Sequence, residues 1–361
     1  IQLIKLNINM NLRKLGILAM AITVMASCKK DQVIDDGGVI VPGNYENGYF
    51  VTNEGNFGTG NGSISFVTDE GTVENAVFES VNSFVLGDVV QSMNIIGANA
   101  YVLVNGSAKI EVATIADMKS VATIDVVSPR FIAKVSDAKA YVTDWGINGV
   151  QVIDLTTSTI SSTITCGTGP EGIVVSNGFA YVCNVGGWGL DSTVTVINTA
   201  TDAVENTLTV GDNPNSAVVD ANGDVWVLTG GYTEYDAAWN VISETAGNLV
   251  KIVGNTIEAT YAFSVGNHPE DLVINDAGTT LYYSDGSWSK AVYSFQISDT
   301  DLSSTPVINK SFYGLGSANG YIYGTDAVDY TQQGWSFRYT ENGSLVDSVQ
   351  VGVIPGGYCF N

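Results

Sequence analysis

The fold is decided by a short pattern that recurs along the chain, most clearly as KAYVTDWG (residues 139–146), GVQVIDL (149–155) and TISSTI (159–164). Each segment is rich in β-branched residues and alternates in part between apolar and polar side chains, which is typical of short strands separated by turns. The next copy reads GPEGIVV (169–175), FAYVCN (179–184), STVTVIN (192–198) and VENTLTV (204–210). The repeating unit is therefore predicted to be four antiparallel strands.

The unit recurs seven times. Its second strands are predicted at positions spaced 40 to 56 residues apart, namely at Tyr49, Tyr101, Tyr141, Tyr181, Val225, Leu281 and Tyr321. Four-stranded repeats of this length are the sequence form of a β-propeller. The chain ends with a first strand, IPGGYCF (354–360), whereas the domain begins near residue 47 with a second strand. We therefore predict an all-β, seven-bladed β-propeller of four-stranded antiparallel blades over 47–361, closed by the N- and C-terminal strands in one blade.

Charge and composition exclude several classes of function. The 361 residues contain 37 Asp and Glu against 14 Lys and Arg, which gives a formal charge of −23. Such a surface repels nucleic-acid phosphates, so no nucleic-acid partner is expected. One histidine and four cysteines are too few for a Cys/His zinc cluster or a multi-histidine metal centre.

The N-terminus predicts an exported lipoprotein. Two basic residues precede an apolar run of signal-peptide length, Leu15 to Val24, and MASC (25–28) then resembles a lipobox. We expect a signal peptide over 1–27, with 1–9 as upstream sequence, and lipidation of Cys28. An ordinary secretory signal with an incidental cysteine is the alternative.

Residues 28–46 are charged and lack periodicity, which is typical of a flexible tether. The lipid would be the protein's one attachment to the membrane, here the outer membrane, and exposure at the cell surface is expected.

In a propeller, the second-to-third-strand loops and the crossings between blades emerge on one face. Aromatic residues crowd the predicted loops of that face, and we predict that they form a ligand platform: Phe57, Trp145, Trp188, Tyr232, Tyr235, Trp239, Trp288, Tyr330 and Trp335. Packing between loops is the alternative for each one. The longest insertion, 230–248, would overhang the platform as a flap.

Two polar residues of the crossings are further candidates. Arg130 could bind a phosphate or carboxylate of a ligand, or it could pair with Glu171 on the neighbouring blade. His268 could contact a ligand or form part of a hydrogen-bonded turn. Cys166, Cys183 and Cys359 are read as small buried residues, with a Cys166–Cys183 bridge as an open alternative.

Three motifs carry a resemblance to a known family. NEGNF (53–57), the Tyr-Val second strands and IPGGY (354–358) resemble the YncE-like propeller lipoproteins of Bacteroidetes, which include BtuG-type cobalamin-binding surface proteins. The resemblance covers about 47–361. It implies a cobalamin or other corrinoid held on one face and passed to a TonB-dependent outer-membrane transporter.

The predicted function is therefore ligand capture and not catalysis, with no catalytic residue, metal or resident cofactor and with cobalamin as the suspected ligand. A corrinoid is a wide, partly apolar disc edged with amides and carrying one phosphate, so aromatic and amide groups suit it. Two alternatives stay open. One is a protein- or glycan-binding scaffold, and the other is a calcium-dependent, lactonase-like hydrolase with oxygen ligands from Glu171, Asn215, Glu270 and Asp271.

Overall fold

The computed structural model describes residues 45–286 and 290–361. These residues form a β-propeller of seven antiparallel sheets, so the predicted all-β fold is confirmed. The predicted signal peptide, Cys28 and nearly all of the tether lie outside the described residues, as does Trp288. Among the described residues, no helix is long and apolar enough to span a membrane.

Each blade runs outward from a first strand on the central axis. The first four blades consist of β29 (Pro355–Phe360), β1 (Gly48–Asn53), β2 (Ser63–Thr68) and β3 (Val73–Glu74); β4 (Val90–Ile96), β5 (Asn99–Val104), β6 (Lys109–Thr114) and β7 (Ser120–Asp125); β8 (Pro129–Lys134), β9 (Lys139–Asp144), β10 (Gly149–Asp154) and β11 (Thr159–Thr165); and β12 (Pro170–Ser176), β13 (Phe179–Asn184), β14 (Thr193–Asn198) and β15 (Ala203–Thr209). The last three consist of β16 (Pro214–Val219), β17 (Val225–Thr229), β20 (Asn248–Val253) and β21 (Thr256–Ala262); β22 (Glu270–Ile274), β23 (Thr280–Asp285) and β24 (Ala291–Gln296); and β25 (Gly314–Ala318), β26 (Tyr321–Asp326), β27 (Gln333–Thr340) and β28 (Leu345–Val353).

The sixth blade departs from the repeat. It has three named strands among the described residues, and an isolated antiparallel bridge between Val292 and Ile308 stands where the other blades have a fourth strand. One short helix, α1 (Val77–Asn82), follows β3 in the first blade.

The core is divided among the interfaces between blades. The predicted second strands are confirmed, and their tyrosines at 101, 141, 181 and 323 are fully buried. Tyr101, for example, packs with Val142 of the next blade, and Tyr141 packs with Val182 of the one after. Burial of each large side chain contributes about 2 kcal/mol, so adjacent blades stabilise each other around the ring.

The two ends of the chain close the ring in the first blade, as predicted. β1 pairs antiparallel with β29, with Phe50 opposite Cys359 and Val51 opposite Tyr358. The ring of Tyr49 packs 4.8 Å from that of Tyr323 in the seventh blade and 5.8 Å from that of Tyr358. Separating the ends would expose this aromatic cluster and a sheet edge.

Cys166, Cys183 and Cys359 are free thiols in the described part of the chain, so the alternative of a Cys166–Cys183 bridge is not what the structure shows. Cys183 and Cys359 are buried, as expected, while Cys166 is partly exposed. Burial raises the pKa of the Cys166 thiol to about 12, which keeps it protonated and unreactive at neutral pH.

Candidate functional site

An open cavity of about 1610 Å³ lies at one end of the propeller axis, and we call it the central cavity. Crossings and second-to-third-strand loops meet around it. Every blade contributes to its wall, including Glu54, Gln91, Arg130, Glu171, Asn215, Glu270, Leu315 and Gly356. The cavity is therefore a property of the closed ring.

The start of each first strand is shaped to present side chains to the cavity. In the second to sixth blades this strand begins with a register shift against its neighbour, and such bulges re-aim side chains. In the third blade the crossing is fixed by Asp144, whose carboxylate accepts hydrogen bonds from the backbone N–H groups of Val127 (2.9 Å) and Ser128 (2.8 Å). The adjacent Arg130 is held in place as a result.

Arg130 is the centre of a bonded cluster. Its Nε and Nη2 each donate to Glu171 over 2.8 Å, and Nη1 donates to Gln91 Oε1 over 2.5 Å. Its guanidinium carbon lies 4.3 Å from the centre of the Trp145 ring, a cation–π contact. The pairing of Arg130 with Glu171, foreseen as one alternative, is therefore the observed arrangement. Two of its five N–H groups stay outside these three bonds, and a ligand contact through them stays a prediction.

Trp145 lies partly buried beside Arg130, and its indole Nε1 is buried without a hydrogen-bond partner among the described residues. Trp188 meets this ring edge-on, with centroids 6.1 Å apart. Gly187 lies beside the Trp145 ring with a left-handed backbone, φ 58°, which glycine adopts freely. The indole face exposed to the cavity is thus supported from behind by other loops.

A second cluster joins the first and seventh blades. The hydroxyl of Tyr313 donates to Glu54 Oε2 over 3.2 Å, and both residues line the central cavity. Burial raises the pKa of Glu54 above its ordinary value. Gly356 leaves room for this carboxyl, because a Cβ there would lie 2.7 Å from Glu54 Oε1.

In the sixth blade, one carboxyl oxygen of Asp271 has no hydrogen-bond partner among the described residues. Asp271 has a left-handed backbone, with φ at 61°, and its Oδ2 is buried without a hydrogen bond to any described residue. The neighbouring Glu270 is paired with Lys290. Burial first, and then the charge of Glu270, raise the pKa of Asp271 to about 8, with Lys290 opposing the shift.

The insertion at 230–248 is a β-hairpin, formed by β18 (Tyr232–Tyr235) and β19 (Val241–Thr245). It was expected to be a flap without structure of its own, and the pairing of Tyr232 with Thr245 corrects that expectation. Its β-branched residues on both sides of the turn at 236–240 explain the strand pairing.

His268 fastens this hairpin to the crossing into the sixth blade. Its Nδ1 lies 2.7 Å from the carbonyl oxygen of Gly230, which can only accept, so Nδ1 carries a hydrogen. Its Nε2 lies 3.0 Å from Thr233 Oγ1 and 3.3 Å from Glu244 Oε1. The histidine therefore holds the base of the hairpin against the cavity wall.

The predicted site residues divide into two groups. Six line the central cavity, namely Arg130, Trp145, Tyr232, Tyr235, His268 and Tyr330. Four others do not line it: Phe57, Trp188 and Trp239 project into solvent with 86%, 99% and 82% of their surface exposed, and Trp335 lies in the third strand of the seventh blade. A single continuous platform of all these aromatics is thus not formed, because the loops point outward as well as inward.

Sequence reasoning overlooked Gln91, Glu54, Tyr313 and Lys290 as cavity residues. An available signal was the repeat itself, because the residue after the first position of β4, β8, β12 and β16 lines the cavity in each case: Gln91, Arg130, Glu171 and Asn215. Aligning the blades at that position would have found Gln91, whereas Glu54, Tyr313 and Lys290 lie outside it. The selection of aromatic loop residues did not identify these polar side chains.

The four oxygen donors of the calcium alternative are largely engaged elsewhere. Glu171 is bonded to Arg130, Glu270 is bonded to Lys290, and Asn215 Oδ1 accepts a hydrogen bond from Ser216 Oγ over 2.6 Å. Within 45–286 and 290–361, no group of three His, Cys, Asp or Glu side chains is arranged to hold a metal ion. The calcium site of the lactonase-like alternative is therefore not assembled by the described residues.

Comparison with known protein families shows which family the chain belongs to. Residues 47–348 match the family described as a domain of unknown function (DUF5074). The chain belongs to this family. No curated protein matches the sequence.

Solved structures match the fold of this DUF5074 protein at low sequence identity. A quinonprotein alcohol dehydrogenase-like protein of Bacteroides thetaiotaomicron has a TM-score of 0.65 and 16% identity, covering 88% of this chain and 79% of its own. A candidate 6-phosphogluconolactonase of Bacteroides uniformis has a TM-score of 0.64 and 12% identity, covering 87% of this chain and 99% of its own.

The periplasmic gluconolactonase of Pseudomonas aeruginosa has a TM-score of 0.63 and 11% identity, covering 86% of this chain and 98% of its own. At such identities the likeness shows the propeller fold alone. The comparison therefore gives no support to the expectation of a protein without enzymatic activity.

Proposed function

We propose that this DUF5074 protein captures a large, amide-rich small molecule in its central cavity, and that the ligand is cobalamin or another corrinoid. The observation that carries the proposal is the size of the cavity together with its wall. Its volume of about 1610 Å³ exceeds the range of roughly 300–1,000 Å³ that holds drug-sized ligands. A bulky disc-shaped ligand would fill a cavity of this volume.

The wall offers the kinds of contact that such a ligand needs. The Trp145 indole, backed by Arg130, and the partly exposed Tyr232, Tyr235 and Tyr330 supply apolar area. Asn215, Gln91 and the backbone of the crossings supply hydrogen-bonding groups for peripheral amides. This mixture of aromatic area and a few convergent polar groups is typical of small-molecule sites.

The resemblance to YncE-like and BtuG-type propellers extends the proposal to cellular context. We infer that Cys28 carries a lipid anchor in the outer membrane, that 28–46 is the tether, and that the propeller faces the cell surface. The captured ligand then passes to a TonB-dependent outer-membrane transporter. Metabolic labelling with a palmitate analogue, compared between the full chain and Cys28→Ala, tests the anchor, and protease shaving of intact cells tests the exposure.

Calorimetric titration of cyanocobalamin into the purified propeller tests ligand capture. We expect saturable one-to-one binding and quenching of the tryptophan fluorescence, because Trp145 lines the cavity. Trp145→Leu is expected to weaken binding, whereas Trp335→Leu, a tryptophan outside the cavity, is the matched control. Absence of heat and of quenching at micromolar cyanocobalamin contradicts the proposal.

The rival functions give different results in parallel assays. Lactone hydrolysis that depends on calcium would favour a hydrolase, the activity named for two of the solved structures with this fold. Binding to an oligosaccharide array would favour a scaffold that uses Trp188 and Trp239, the tryptophans that project outside the cavity. Neither result is expected.

A further inference from the structure

The charges around the central cavity are strongly unbalanced. Its described wall contains six carboxyl groups, Glu54, Glu171, Glu244, Glu270, Asp271 and Asp326, but two basic side chains, Arg130 and Lys290. Both basic groups are already paired with acids of the same wall. Apart from the two remaining N–H groups of Arg130, the wall therefore offers carboxyl groups, which favour the hydrogen-bond donors of a ligand over its anionic groups.

Four of the six acids have partners. Glu171 and Glu270 hold the two basic groups, Asp326 is bonded to Lys310 over 2.8 Å, and Glu244 accepts from Thr233 over 3.0 Å beside His268. Glu54 uses only Oε2, toward Tyr313, and Asp271 makes no hydrogen bond to any described residue. These last two are the acids with capacity left for a ligand.

Glu54, Asp271 and Tyr313 all line the central cavity. The hydroxyl of Tyr313 donates to Glu54 Oε2, and its pKa is raised by burial first, then by Glu54, with a smaller contribution from the charge of Asp271. The three residues come from the first, sixth and seventh blades. They face one cavity because the ring is closed.

The chemistry of the set selects a partner group. Burial raises the pKa of both carboxyl groups, and that of Asp271 to about 8, so Asp271 is protonated at neutral pH in the empty cavity. A protonated carboxyl presents an O–H donor beside a C=O acceptor. A primary carboxamide presents the complementary pair, N–H and C=O, whereas a carboxylate or phosphate supplies acceptors alone.

We propose that Glu54, Asp271 and Tyr313 form a subsite for a primary carboxamide on the edge of the bound ligand. The inference rests on the proposed capture of an amide-edged ligand and deepens it, because it names the group recognised and the wall that recognises it. It also separates roles within the cavity, since Arg130 and Trp145 support the face of the ligand while this subsite orients its edge.

The test is a titration of cyanocobalamin into wild type, Asp271→Gly and Asp271→Asn. Glycine removes the carboxyl at a residue whose φ of 61° it adopts freely, and asparagine tolerates that conformation while keeping a donor and an acceptor. Ser158→Gly, at another left-handed residue in a turn remote from the cavity, with φ at 53°, is the matched control. Thermal unfolding of each variant verifies that it is folded.

We expect Asp271→Gly to bind about tenfold more weakly, the loss of one buried hydrogen-bonded pair, with Asp271→Asn and Ser158→Gly close to wild type. Derivatives with one peripheral amide hydrolysed to a carboxylate should include at least one that wild type binds more weakly by a similar factor. The subsite alone is overturned if wild type and Asp271→Gly bind cyanocobalamin with equal affinity. It is likewise overturned if wild type binds all the monocarboxylates as tightly as cyanocobalamin. Failure of wild type to bind cyanocobalamin overturns the proposed function together with it.

Discussion

The bonded cluster around Arg130 makes the sharpest prediction about stability. Replacing Arg130 by methionine removes both bonds to Glu171 and the contact with Trp145 while leaving an apolar side chain of similar length. Glu171 then remains in the wall without its cation. Glu171→Gln and the double variant complete a thermodynamic cycle that isolates the interaction free energy between Arg130 and Glu171.

The magnitude follows from the burial of the pair. The side chains of Arg130 and Glu171 are 17% and 11% exposed, and two bonds of 2.8 Å join them. Removing one partner of a pair this enclosed costs about 3–5 kcal/mol, because the other charge stays desolvated and uncompensated. Replacing both should cost clearly less than the sum, which gives a coupling of about 2–3 kcal/mol.

Urea unfolding followed by tryptophan fluorescence and far-ultraviolet circular dichroism measures the four free energies of unfolding. Trp145 reports on the cluster itself, while the dichroism reports on the sheets. A coupling below about 0.5 kcal/mol, or a cost for Arg130→Met below about 1 kcal/mol, would refute the reasoning, since the pair would then behave like an exposed one.

Three further predictions concern closure, the hairpin and Asp271. Deleting residues 355–361 removes the strand that pairs with β1 and should lower the melting temperature by at least several degrees, measured by calorimetry; an unchanged transition would contradict ring closure. His268→Ala should speed amide hydrogen exchange in β18 and β19 without affecting the other blades, and unaltered exchange there would rule out the fastening role. Because the raised pKa of Asp271, about 8, lies above its unfolded value, the folded state binds the proton more tightly, so its stability falls as pH rises from about 4 to 8. Asp271→Asn should lose less stability over that range, by several kcal/mol in urea unfolding, since raising a pKa by one corresponds to about 1.4 kcal/mol, and parallel pH profiles for the two proteins would contradict the assignment.

The architecture could be predicted from the sequence because it is periodic. Seven second strands share the same short sequence pattern, and tyrosines such as Tyr101 and Tyr141 recur at the same buried position of successive blades. Pairing of the two chain ends followed from the missing strand at each end. The hairpin in the insertion was missed because a turn around 236–240 without an Asn-Gly pair gives a weak signal.

The candidate site could be predicted only in part, since position within a loop does not fix direction. Trp145 and Trp188 both follow second strands in glycine-containing loops, yet one lines the cavity and the other is almost fully exposed. The direction depends on neighbouring loops, such as the approach of Gly187 to the Trp145 ring, and such contacts join different blades. Four polar cavity residues, in contrast, occupy equivalent positions in the repeat and were predictable in principle: Gln91, Arg130, Glu171 and Asn215.

Closure of the ring and the proposed binding site depend on the same residues. The backbone N–H of Glu54 donates to Ile354 over 2.8 Å, and that of Gly55 donates to Val353 over 3.0 Å, so the loop that carries the Glu54 carboxyl is held by the end of the chain. Gly356 of the closing strand leaves the space that this carboxyl occupies. A ligand held by Glu54 and by residues of the sixth and seventh blades would therefore bridge the closing blade and its neighbours. Such a ligand stabilises the closed ring in proportion to the logarithm of its concentration over its dissociation constant, and the gain should vanish when 355–361 are removed.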